Sequence, residues 1–67
     1  MVKEVMTTEE AADYLSIHPE TLRDKVRAHI VPAAKVARQW RFRKVDLDDW
    51  LARGGELAFE QQQKLAV

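Results

Sequence analysis

Between residues 23 and 44 the sequence carries Arg23, Lys25, Arg27, Lys35, Arg38, Arg41, Arg43 and Lys44 against one acid, Asp24. The chemistry open to such a run is neutralisation of a polyanion. A guanidinium fork matches the paired oxygens of a phosphate and the O6/N7 edge of guanine, while an ammonium acts as a point charge. Eight cations against one acid leave this stretch at +7, although the 67-residue chain holds 11 residues of each sign and no net charge. The compensating acids flank it: Glu4, Glu9, Glu10, Asp13 and Glu20 before, Asp46, Asp48, Asp49, Glu56 and Glu60 after. Such segregation is expected of a chain with one face turned to a polyanion. The alternative is that helix faces simply alternate charge.

Other chemistry finds little support. Cysteine is absent, and His18 and His29 stand eleven residues apart without further ligands beside them, so no metal site is expected. There is no Ser–His or Cys–His pairing and no glycine-rich phosphate loop, which argues against an enzyme and against a cofactor or small-molecule ligand. Asp46, Asp48 and Asp49 fall at the start of an expected helix, where the macrodipole accounts for carboxylates. No apolar run approaches the roughly 20 residues of a membrane span, and no basic stretch leads into a hydrophobic one after Met1. The expectation is a soluble, unprocessed, cytosolic protein with no membrane partner, in a reducing compartment.

The elements that must carry these residues follow from spacing. Thr7-Thr8-Glu9-Glu10 has the form of a capping box and opens a helix whose narrow apolar face is Ala11, Ala12 and Leu15. Ser16-Ile17-His18 forms a turn, with Ile17 plugging it, and Pro19 suits the first position of a second helix running to about Ala28. Leu22 and Val26 are its buried pair, so Glu20, Arg23, Asp24 and Arg27 face outward. After Val31-Pro32 the period changes: Ala34, Val36, Trp40 and Phe42 alternate with Lys35, Arg41 and Arg43, which predicts a hairpin with one apolar and one basic face. Its tip, Ala37-Arg38-Gln39, lacks the dipeptide that fixes a tight turn, so the register stays open. A third helix over about Lys44 to Ala52 has Leu47, Trp50 and Leu51 inward and stops at Gly54-Gly55. The expectation is one domain over residues 1–55 and a tail over 56–67, helical or flexible, whose spare apolar groups are Leu57, Phe59 and Leu65.

Two short helices joined by a tight turn fit the geometry in which a second helix enters the major groove of DNA. Arg23 and Arg27 are then placed for base edges, with Glu20 and Asp24 beside them. His18 and Thr21 sit at the amino end, where N–H groups and short polar side chains hold a phosphate. The hairpin adds Lys35, Arg38, Gln39, Arg41 and Arg43 on one ribbon, where like charges repel unless an anion relieves them. Trp40 and Phe42 read as core rather than as base-stacking rings, because they alternate with the arginines. The competing function is a protein-interaction module, with the ribbon on an acidic partner and the tail on another chain.

The segments Thr7-Thr8-Glu9-Glu10-Ala11-Ala12-Asp13-Tyr14-Leu15, Val31-Pro32-Ala33 and Trp40 to Leu51 (WRFRKVDLDDWL), in this order, resemble the excisionase-type helix-turn-helix family, related to the winged DNA-binding domains of MerR-type regulators. The resemblance implies a mainly α fold with a small β-hairpin, a winged helix-turn-helix. It places the helix at 19–28 in the major groove and the hairpin at 33–43 on backbone or minor groove. Members include phage excisionases and small transcriptional regulators, so the implied role is a bacterial or phage regulator of transcription or recombination, acting on the nucleoid. The sequence departs from the family pattern at His18, often a Ser cap, and at His29 and Ala37, usually Gly. A non-glycine residue at a positive φ is costly, which makes the last two positions sensitive. One module covers a short site and there is no heptad repeat, so the expectation is a monomer that associates weakly on adjacent DNA sites.

Overall fold

The structure, a computed structural model, describes residues 4–56. In chain order these form β1 (Val5–Thr7), α1 (Thr8–Leu15), α2 (Pro19–Arg27), β2 (Ala34–Val36), β3 (Gln39–Arg43) and α3 (Lys44–Ala52). The strands make one antiparallel sheet in the order β1-β3-β2. Three helices and this small sheet form the winged helix-turn-helix arrangement, and the expected tail residues Leu57, Phe59 and Leu65 lie outside the described residues.

Local chemistry starts both helices of the pair. Thr7 Oγ1 accepts from the Glu10 N–H at 3.2 Å and Glu10 Oε1 accepts from the Thr7 N–H at 3.0 Å, which is the capping box. At α2 Pro19 supplies the preset φ of a first helical residue. His18 Nδ1 accepts from the Glu20 N–H at 3.1 Å, so the imidazole caps the helix as a serine hydroxyl does.

All three helices end in the same way. The chain turns left-handed at Ser16 (φ 59°), His29 (φ 60°) and Gly54 (φ 100°). Each time the next residue donates its N–H five residues back: Ile17 to Ala12 O at 2.9 Å, Ile30 to Lys25 O at 2.9 Å, Gly55 to Trp50 O at 2.8 Å. The turning residue itself donates three back, to Asp13, Val26 and Leu51 respectively. This is the Schellman closure, with Ile17 and Ile30 as the apolar residues after the turn, both packed on the core. Only the third helix places glycine at the left-handed position. The Gly55 backbone faces the Trp50 ring there, where an added Cβ lies 3.4 Å from the indole edge.

The hairpin register corrects the sequence expectation. Ala37 (φ 50°) and Arg38 (φ 67°) form a two-residue turn with both φ values positive, as in type I′, and Val36 therefore pairs with Gln39, Lys35 with Trp40 and Ala34 with Arg41. Paired residues share a face of the sheet, so Lys35 lies on the Trp40 side and Ala34 and Val36 lie on the side of Gln39 and Arg41. The predicted division into an apolar and a basic face holds along β3 but inverts on β2. The cause is parity, since a two-residue turn joins an even position to an odd one. Val36 is accordingly exposed.

β1 has no counterpart in the sequence reading. Val5, Met6 and Thr7 pair with Arg43, Phe42 and Arg41, and Met6 enters the core beside Phe42. The core comprises Met6, Ala11, Ala12, Leu22, Val26, Val31, Phe42 and Leu47, with Phe42, Leu22 and Leu47 fully enclosed. A second correction concerns α3: Leu47 is buried and Trp50 half-buried, but Leu51 is exposed. α3 rests chiefly on β3 and has no partner helix broad enough to cover a wider stripe.

Candidate nucleic-acid interface

The small side chains of Ala11 and Ala12 let α2 lie close on α1, with Leu22 and Val26 pointing into the contact. The remaining surface of α2 is thereby turned to solvent: Glu20, Thr21, Asp24 and Arg27 are exposed, and His18 is exposed at its amino end. Arg23 departs from the expectation. Its side chain is 33% exposed against 67% for Arg27, and its Nη1 donates to Glu20 Oε1 at 2.7 Å. Arg27 meets Asp24 at 3.5 Å, in open solvent where such a pair adds little.

On the hairpin, Arg38 and Gln39 are exposed at the tip. Arg41 is held by two bonds, Nη1 to Trp40 O at 3.0 Å and Nη2 to Gln39 Oε1 at 2.8 Å, which pins its guanidinium along the strand. Lys35 Nζ stands 4.9 Å from the centre of the Trp40 ring, a cation–π contact that covers the ring while the residue stays exposed. Arg43 is exposed beside Asp46 at 3.9 Å.

The ion pairs sort the basic segment. Arg23, Lys25, Arg27, Arg43, Lys44 and Arg53 each have a carboxylate partner, respectively Glu20, Glu56, Asp24, Asp46, Asp48 and Asp49. Among the described residues the cations without one are Lys35, Arg38 and Arg41, all on the hairpin. Among the described residues the pairing acids are thus placed on or beside the helices, and most of the hairpin keeps its positive field.

Asp48 corrects a further expectation, that the macrodipole accounts for the whole acidic cluster. Asp46 lies in the first turn of α3, but Asp48 lies beyond it and accepts from the Tyr14 hydroxyl and from Lys44 Nζ, the latter at 2.6 Å. It joins α3 to α1. The Lys44 bond, then the Tyr14 bond, holds the Asp48 carboxyl below its ordinary range, and the same carboxylate pushes the Tyr14 hydroxyl and the Lys44 ammonium up.

A polar cleft runs between the start of α1, α2 and the hairpin. Thr7, Thr8, Glu9, Arg23, Arg38, Gln39, Trp40 and Arg41 line it. Nothing in the sequence pattern assigns a site role to Thr7, Thr8 or Glu9. The only signal for them was the capping box, which marks a helix start and not its neighbour across the fold. Among the described residues no three His, Cys, Asp or Glu side chains converge as metal ligands, and no helix is long and apolar enough to cross a membrane.

Residues 5–55 match a family model described as a helix-turn-helix domain. No curated protein and no solved structure matches the chain.

Proposed function

The chain belongs to the helix-turn-helix domain family, and on that premise we propose that it binds double-stranded DNA sequence-specifically as a small bacterial or phage regulator of transcription or recombination, in the cytosol at the nucleoid. α2 enters the major groove and presents Glu20, Thr21, Asp24 and Arg27 to base edges, while His18 holds the neighbouring backbone. The hairpin lies along backbone or minor groove, where Lys35, Arg38, Gln39, Arg41 and Arg43 meet phosphates. The chain works by binding, with no catalytic step. Two copies associate weakly on adjacent sites, since one module buries only about 600–1,000 Å² on DNA.

The observation that carries this reading is the distribution of ion pairs. The helix cations are matched by carboxylates, whereas Lys35, Arg38 and Arg41 are left for an external anion. With about five or six cations on phosphates, the plot of log K against log salt should fall with a slope of roughly −4.5 to −5.5. Polarisation titrations of a labelled random duplex between low and physiological salt measure it. Binding that ignores salt, or none at low salt, refutes the proposal and favours an acidic protein partner.

A further inference from the structure

The sequence reading places Arg23 beside Arg27 as a base-reading side chain; the structure separates them. Arg27 stands in solvent at the carboxyl end of α2. Arg23 is drawn into the cleft between α2 and the hairpin, at half the exposure of Arg27, and shares it with Arg38 and Arg41. Three guanidinium groups therefore line one cleft whose only carboxylate among the described residues is Glu9. Like charges brought together in this way repel, and among the described residues neither Arg38 nor Arg41 has a carboxylate within ion-pair distance.

We propose that this cleft seats one backbone phosphate of the bound duplex, clamped by Arg23 from α2 and by Arg38 and Arg41 from the hairpin, so that Arg23 is a positioning residue and not a reader of bases. The inference rests on the DNA-binding reading and deepens it. The ligand chemistry follows from the donors. Arg23 spends Nη1 on Glu20 and keeps the rest of its fork, and Arg41 is oriented by its bonds to Trp40 O and Gln39 Oε1. Thr8 and Glu9 stand at the first two positions of α1, where the capping box, which serves the N–H groups of Thr7 and Glu10, does not reach. Both residues line the same cleft. A singly charged phosphodiester matches a surplus of cations with planar forks better than a base edge, which carries no charge. Gripped from both sides, one phosphate ties α2 and the hairpin to the same stretch of backbone, whatever its sequence.

The test uses the full chain and two duplexes, one selected by the wild-type protein from a random pool and one scrambled. Arg23→Ala should weaken binding to both duplexes by the same factor and reduce the salt slope by about 0.9. Arg23→Lys should keep the wild-type slope with a smaller loss, since the charge stays and the fork goes. Arg27→Ala should instead lower the ratio of specific to scrambled affinity by about 5- to 100-fold. Circular dichroism of each variant checks the fold, and the lysine variant carries the test should the alanine variant unfold. A collapse of the affinity ratio in Arg23→Ala with an unchanged slope overturns the clamp, as does a fall of the ratio in Arg23→Lys. If the wild-type chain binds neither duplex, the DNA reading itself has failed.

Discussion

His29 offers the sharpest test of the backbone reasoning. It sits at φ 60° as the left-handed residue that closes α2, in the position Gly54 fills at the end of α3. An L-residue held there gives up about 1–2 kcal/mol through the clash of Cβ with the following carbonyl. Replacing it with glycine removes that cost but returns about 0.4–1 kcal/mol, because glycine leaves the unfolded chain freer. The balance at mid-range favours His29→Gly by about 0.8 kcal/mol, provided the imidazole itself contributes nothing. It is exposed, and the histidine side chain donates or accepts no hydrogen bond among the described residues. For a domain of this size each kcal/mol moves Tm by about 4–8 °C, so a rise of about 3–6 °C is expected. The control is His29→Ala, which removes the ring and keeps Cβ and hence the strain, and should leave the stability within about 0.5 kcal/mol of wild type. Thermal and urea melts followed by circular dichroism measure both. A glycine variant no more stable than the alanine variant would show that the left-handed turn carries no strain, and the argument from the three shared closures would fall with it.

Gly54→Ala should act in the opposite sense, lowering Tm, because it introduces at φ 100° the Cβ that His29→Gly removes. Trp50 Nε1 is buried without a hydrogen-bond partner among the described residues, so Trp50→Phe should leave the urea midpoint unchanged or raised, whereas Trp50→Ala should cost about 2–4 kcal/mol. Asp48 has its folded pKa depressed below 3.8, so its contribution is present above the unfolded value and is lost as pH falls through the folded one. Wild type should therefore exceed Asp48→Asn in Tm near neutrality, and the gap should close as pH falls below the ordinary carboxylate range; a constant gap would refute the pairing. Replacing Ala37-Arg38 with Asn-Gly should raise Tm, since these residues accept the type I′ angles, yet weaken DNA binding through the loss of Arg38. A variant that gains stability and keeps full affinity would take Arg38 out of the interface.

The parts of the fold legible in the sequence are those whose signals are local. Thr7 with Glu10, Pro19 and Gly54-Gly55 act on their own helix ends, and α1 and α2 begin and α3 stops where these residues put them. β1 was not legible, because three residues show no alternation and its partner, β3, lies some 36 positions away in the chain. The side of Lys35 was not legible for a different reason. Ala37-Arg38 carries no turn signature, and a shift of one residue at the tip moves every side chain of β2 to the other face. Asp48 and Arg23 share a third limit: their types and spacing were visible, but the partner that decides their role, Tyr14 for one and the hairpin cleft for the other, is set by tertiary packing.

The zero net charge of the chain is the property that argues most directly against nucleic-acid binding, and the ion pairs remove the objection. A helix surface places residues three and four apart beside each other, so an acid there neutralises its neighbour within one turn, as Glu20, Asp24, Asp48 and Asp49 do. A two-residue hairpin offers no such neighbour, and between Pro32 and Lys44 the sequence has no acid at all. The field of the molecule is therefore local: screened along the helices, where pairs are short-ranged and exposed, and unscreened on the ribbon. A group approaching Arg27 must displace Asp24 from it, while a phosphate approaching Lys35, Arg38 or Arg41 displaces no carboxylate. If the chain binds DNA as proposed, non-specific attraction is concentrated on the hairpin, and Arg27 is released from Asp24 only where the other contacts hold α2 close enough to exchange the carboxylate for a base. On that proposal, neutrality overall and a basic ribbon locally become one device, which would weaken adhesion to arbitrary DNA without weakening the site that fits.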